Sequence, residues 1–119
     1  AAIQYARHAV AIELHPFSLT TLAKLLLLEM EADPAKFASA YSEAFDRLTQ
    51  AIEKESRRSR ITVHPFATLL TGTARYLELG GKLTPEKLQA IDGYATEASR
   101  RFRGDSWIET ALRRLDSLR

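Results

Sequence analysis

The tripeptide His-Pro-Phe occurs twice, as His15-Pro16-Phe17 and as His64-Pro65-Phe66, 49 residues apart. The flanks recur with it. Ala2, Ala6, Ala9 and Val10 fall at helical spacing before the first copy, and Ala44, Leu48, Ala51 and Ile52 before the second. Each copy is followed by a Leu/Thr-rich stretch, a connector, and a segment opened by proline. A repeat at this level constrains the chain to tandem helix–turn–helix units. One such hairpin cannot bury its apolar face alone, so successive hairpins stack and share a core.

The rest of the chain fits that plan. The first helical pattern ends at Leu14-His15-Pro16, where proline forbids simple continuation. Ser18 is an N-cap candidate for a second helix over residues 18–31. Asp33-Pro34 opens a third helix, whose apolar stripe is Phe37, Tyr41, Ala44, Phe45, Leu48, Ala51 and Ile52. It is expected to end in the arginine-rich stretch 55–60. A fourth helix runs to Gly80-Gly81, a C-terminal signal. Thr84-Pro85 opens a fifth, and Gly104 breaks it. Ser106 and Glu109 read as a capping box for a sixth, which carries Trp107, Ile108, Ala111, Leu112 and Leu115. Phe17 and Phe66 are expected to staple one helix pair to the next. No segment alternates with period two. The expectation is an all-α fold of about six helices in tandem antiparallel pairs.

Several segments resemble the tetratricopeptide (TPR) family. The run Ala44-Phe45-Asp46-Arg47-Leu48-Thr49-Gln50-Ala51-Ile52-Glu53 resembles the second-helix half of such a repeat, and Ala90-Ile91-Asp92-Gly93-Tyr94 repeats its opening. Ala11-Ile12-Glu13-Leu14-His15-Pro16 resembles the closing stretch, and Arg75-Tyr76-Leu77-Glu78-Leu79-Gly80 the end of a first helix. The spacing here departs from the family's repeat of about 34 residues, and its Trp-x2-Leu-Gly signature is absent. The resemblance implies a TPR-like right-handed superhelix or a compact helical bundle. It also implies a non-catalytic module for protein–protein interaction or sensing, of the kind found in larger bacterial regulatory proteins.

Composition narrows the function classes. With 119 residues, 45% hydrophobic and 27% charged, the chain fits one domain over residues 1–119 with its own core. It has no cysteine, which excludes a disulfide framework, a zinc ribbon and a thiol nucleophile. No glycine-rich loop is present to cradle phosphates. The longest apolar run, Leu25–Leu28, is far short of a membrane span, and no signal peptide is visible. A cytoplasmic protein without a membrane partner is expected. Ala1 already lies in a helical pattern with no cap before it, so the chain reads as the C-terminal part of a longer protein.

The net charge of +2 hides an asymmetry. Residues 1–53 hold four Lys/Arg against seven Asp/Glu, a net of −3; residues 54–119 hold thirteen against eight, a net of +5. Arg57, Arg58 and Arg60 leave the third helix, and Arg100, Arg101 and Arg103 leave the fifth. These are equivalent places in successive pairs, so they form a candidate basic edge for nucleic acid. In TPR-like arrays the first helices of each pair line the binding groove. That resemblance makes Thr21, Lys24, Thr71 and Arg75 the candidate groove for a protein or peptide partner, or for another domain of the same chain. His8, His15 and His64 read as turn or cap residues, without metal-ligand spacing. No catalytic residue, metal or cofactor is expected. A third reading is homodimerisation through an apolar face left open on the first helix.

Overall fold

All four prolines open helical segments, where a missing backbone N–H costs nothing. The computed structural model describes residues 2–12, 15–57 and 61–118. Within them lie α1 (Ala2–Ile12), α2 (Pro16–Ala32), a 3-10 turn over Pro34–Lys36, α3 (Phe37–Arg57), α4 (Val63–Glu78), α5 (Pro85–Arg101) and α6 (Ser106–Ser117). Among the described residues there is no strand, so the all-α expectation holds.

The caps follow local chemistry. Asp33 accepts from the Ala35 amide at 3.0 Å and Thr84 from the Lys87 amide at 3.2 Å, as the Asp-Pro and Thr-Pro pairs imply. Two starts differ from the sequence expectation. The cap of α2 is His15, not Ser18: its Nδ1 accepts from the Phe17 amide at 3.1 Å, and Pro16 begins the helix. The cap of α6 is Asp105, not Ser106: its carboxylate accepts from the Ile108 amide at 3.0 Å. The two His-Pro-Phe copies also differ in register. His15 stands before α2, whereas His64 and Pro65 lie inside the first turn of α4, which Thr62 precedes.

The helices form two layers. Leu27 packs on Gly72 and Glu31 meets Arg75, so α2 and α4 run in the same direction. Thr71 meets Trp107 and Glu78 meets Arg114, so α4 and α6 do too. In the other layer Lys87 reaches Ser42 and the Phe45 ring, and Glu53 acts on Tyr94, so α5 runs the way α3 runs. Arg7 of α1 pairs with Glu43 of α3. The layers are therefore α2, α4, α6 and α1, α3, α5. The radius of gyration is 13.6 Å. A compact domain of 100 residues has about 13 Å, so the helices pack as a compact globule.

The core lies between the layers. Leu19, Leu22, Leu26 and Met30 of α2 meet Tyr41, Ala44, Leu48 and Ile52 of α3 and Phe66, Leu69 and Leu70 of α4. Tyr41 and Tyr76 stack with ring centroids 4.0 Å apart, and Phe37 stacks on the other side of Tyr76 at 4.9 Å. Phe66 is fully buried and meets Tyr94 and Phe102 edge-on, so these ring contacts tie α4 to α5 within one pair and not one pair to the next. Burying a ring of that size contributes about 1.5–3 kcal/mol. Phe17 does not staple anything: it is 75% exposed, because its position in α2 points out of the array. Helix α4 ends where Gly80 takes φ +99°, a conformation that favours glycine, and the Gly81 amide returns to the Tyr76 carbonyl at 2.9 Å.

Candidate functional site

The parallel run of α2, α4 and α6 puts their outward faces side by side. Along α2 this face carries Phe17, Thr21, Lys24, Leu28 and Glu31, all exposed and spaced three or four residues apart. Between α2 and α4 it is hollow. A cavity of about 610 Å³ lies at the start of the two helices, lined by His15, Pro16, Phe17, Thr20, Thr21, Lys24, Glu55, Thr62, His64 and Pro65. A second, of about 300 Å³, lies further along and is bordered by Leu27, Met30, Thr68, Thr71, Gly72, Arg75 and Trp107. Lys24 lines both.

The four groove candidates are thus brought to one face, and both His-Pro pairs converge on its first cavity. They do not all remain free to bind. Arg75 donates through Nε to Glu31 at 2.7 Å and lies 3.6 Å from Glu78. Glu78 in turn takes Nε and Nη2 of Arg114 at 2.9 and 2.7 Å. This Glu31–Arg75–Glu78–Arg114 ladder ties α2, α4 and α6 together. The hydrogen bond from Arg114 holds the Glu78 carboxyl below its ordinary pKa, and the bond to Glu31 raises that of Arg75. Thr71 accepts the indole N–H of Trp107 at 3.1 Å. Thr21 and Lys24 make no hydrogen bond or ion pair among the described residues.

The wall of the first cavity is set by structural bonds. The buried Glu55 carboxylate takes the Thr62 amide at 2.8 Å and lies 3.0 Å from the Thr62 hydroxyl through either oxygen, fixing the start of α4. His15 spends Nδ1 on its cap. The exposed His64 ring meets Trp107 edge-on at 5.9 Å. In the second cavity the floor is Gly72, and Thr68 contributes a buried hydroxyl that has no partner among the described residues. No group of three or more acidic, histidine or cysteine side chains among the described residues is placed to hold a metal ion.

Of the arginine edge, Arg57, Arg100 and Arg103 are exposed and unpaired among the described residues, while Arg101 is held by Glu97 at 2.7 Å. Arg58 and Arg60 lie outside the described residues. Because α3 and α5 run the same way, their C-terminal arginines emerge at one end of that layer.

Sequence reasoning missed Trp107 as a groove wall, Glu55 as the anchor of α4 and the ladder that takes up Arg75. A signal for Trp107 was present: it is the single tryptophan and stands just inside a helix start, outside the buried positions Ile108, Ala111 and Leu115. No helix among the described residues is long and apolar enough to cross a membrane. Set against family models, curated proteins and solved structures, the chain matches none of them.

Proposed function

We propose that the chain is a non-catalytic, TPR-like interaction module of a larger cytoplasmic regulatory protein. It holds an extended, acidic peptide segment in the groove across α2, α4 and α6. The segment belongs to a partner protein or to another domain of the same chain. One observation carries this reading. Lys24 stands unpaired between two adjoining cavities, while Arg75 and Arg114 are taken up by Glu31 and Glu78 and the Glu55 carboxylate is held by Thr62. A carboxylate on Lys24 leaves apolar side chains of the peptide to enter the cavity beside Phe17 and Pro65 and the one beside Trp107 and Leu27. The two-layer order, with α2, α4 and α6 side by side, supports the resemblance to TPR arrays. The engagement of Glu55 and His15 in fixing helix starts supports a binding role over catalysis.

The test is capture of partners on immobilised chain, with Lys24→Glu beside the unmodified protein. Loss of the captured species with Lys24→Glu is the expected result. Unchanged recovery sinks the groove reading.

The exposed arginines at the C-terminal ends of α3 and α5 favour a second reading, contact with nucleic acid. It predicts binding that weakens steeply with salt and is lost when Arg57, Arg58, Arg60, Arg100, Arg101 and Arg103 are replaced by alanine. Absence of any mobility shift with DNA or RNA at low salt removes it.

A further inference from the structure

Helix α1 buries only Ala6 and Val10, with Ile3 half-buried beside them. At about 100° per residue these three positions share one side. Arg7 lies on the flank toward α3, where Glu43 takes its guanidinium at 2.7 and 3.1 Å. The opposite flank carries Ala2, Tyr5, Ala9 and Ile12. All are exposed, Tyr5 by 79% and Ile12 by 73%. This flank is a stripe at i, i+3, i+7 and i+10, and nothing among the described residues covers it. It carries no charged side chain. The one cation of α1 is spent on Glu43, and α1 has no acidic residue.

The order of sizes along the stripe is small, large, small, large. Lay a second copy of α1 antiparallel on the first with a two-fold axis near position 7. Position 5 then faces position 9 of the other copy, and position 12 faces position 2. Tyr5 lies over Ala9 and Ile12 over Ala2, twice each. A surface that meets itself across a two-fold must be complementary to itself, large against small. This one is. The alanines allow close approach of the helix axes, and the large residues fill the space beside them. We propose that the chain forms a two-fold dimer through an antiparallel α1–α1 contact, with Tyr5 seated on Ala9 of the second copy.

The occupant is another copy because the pattern fits its own inverse, and because no charge on the stripe selects a charged partner. The surface is separate from the groove, so a dimer presents two grooves at once.

Sedimentation equilibrium of the 119-residue chain over a range of concentrations gives the test. The unmodified chain is expected to show reversible dimer. Tyr5→Lys and Ala9→Glu each raise the dimer dissociation constant by about tenfold or more. Both sites are exposed, so unchanged far-UV circular dichroism will show that the fold survives. Mixing the two variants restores association, since Lys at position 5 of one copy then faces Glu at position 9 of the other. The chain has no cysteine, so Tyr5→Cys and Ala9→Cys variants give a second readout. Mixed, they cross-link to a heterodimer faster than either does alone. A chain that stays monomeric, or a dimer indifferent to both charged substitutions, overturns the proposal.

Discussion

The Trp107 indole N–H donates to the Thr71 hydroxyl at 3.1 Å, joining α6 to α4 at the rim of the second cavity. Thr71→Val keeps the shape and removes the acceptor. Stability should fall by about 0.5–1.5 kcal/mol, read as the midpoint of urea unfolding. Trp107 is the single tryptophan, so the chain's tryptophan emission reports on this ring's surroundings. The emission maximum should shift in Thr71→Val, and in the unmodified chain when the groove is filled. A maximum that ignores Thr71→Val places the ring elsewhere.

Two glycines should respond with opposite sign. A Cβ at Gly81 would run into the Tyr76 ring, whose own place is fixed between Phe37 and Tyr41. Gly81→Ala should cost about 1–3 kcal/mol through overpacking. Gly93 is exposed in the interior of α5, and a Cβ there meets nothing within 4 Å. Gly93→Ala should gain about 0.5–1 kcal/mol by restricting the unfolded chain and favouring helix. Thermal melts of the pair check both. Equal shifts of one sign contradict the packing of Gly81.

How much of this was legible in the sequence can be judged at particular residues. Asp33, Thr84 and Gly80 were readable because capping is local: the side chain and the amide it serves are three residues apart or fewer. Ser18 and Ser106 misled for the same reason. An oxygen-bearing side chain stands near each true start, but His15 and Asp105 reach the free amides first. The TPR resemblance names Thr21, Lys24, Thr71 and Arg75 together, and the parallel run of α2 and α4 brings them to one face. That Arg75 is spent on Glu31 and Glu78 was not readable. It depends on how closely α2 and α4 approach, and Gly72 against Leu27 sets that distance. Phe17 and Phe66 both follow a His-Pro pair. The two-residue difference in helix register turns one inward and the other to solvent.

Acid should loosen the molecule through Glu43 and Glu78. The hydrogen bond from Arg7 holds the Glu43 carboxyl below its ordinary 4.5, and that from Arg114 does the same for Glu78. A carboxyl with a lowered folded pKa contributes stability that is present above its unfolded pKa and is lost as pH falls through the folded one. Melting temperature should therefore drop below about pH 4.5. The drop should be shallower in an Arg7→Gln, Arg114→Gln double variant, which has less to lose. Parallel curves for the two proteins contradict these pairings.

Alkali acts through Tyr41. Burial pushes the Tyr41 phenol up to about 12, against the lowering effect of its hydrogen bond with Thr73 at 2.8 Å. The unfolded phenol ionises near 10, so the contribution is intact below pH 10 and is lost as pH rises toward 12. Tyr41→Phe should cost about 1–3 kcal/mol at neutral pH, since Thr73 is left buried without that partner. The same change should flatten the alkaline fall in stability between pH 10 and 12, followed by circular dichroism.

The shared direction of α2, α4 and α6 gives the groove a polarity. Aligned peptide dipoles leave partial positive charge at helix N-termini and partial negative charge at C-termini, equivalent to roughly half an elementary charge each. In an antiparallel layer these cancel between neighbours. Here they add. The end with the larger cavity and Lys24 is the positive pole, and the end where Arg75 and Arg114 sit among the last turns is the negative one, partly compensated by those guanidinia. A segment lying along the groove is therefore sorted by orientation as well as by sequence. Its more acidic end settles beside His15 and His64, and reversing the order of its charges should weaken it even when its composition is unchanged.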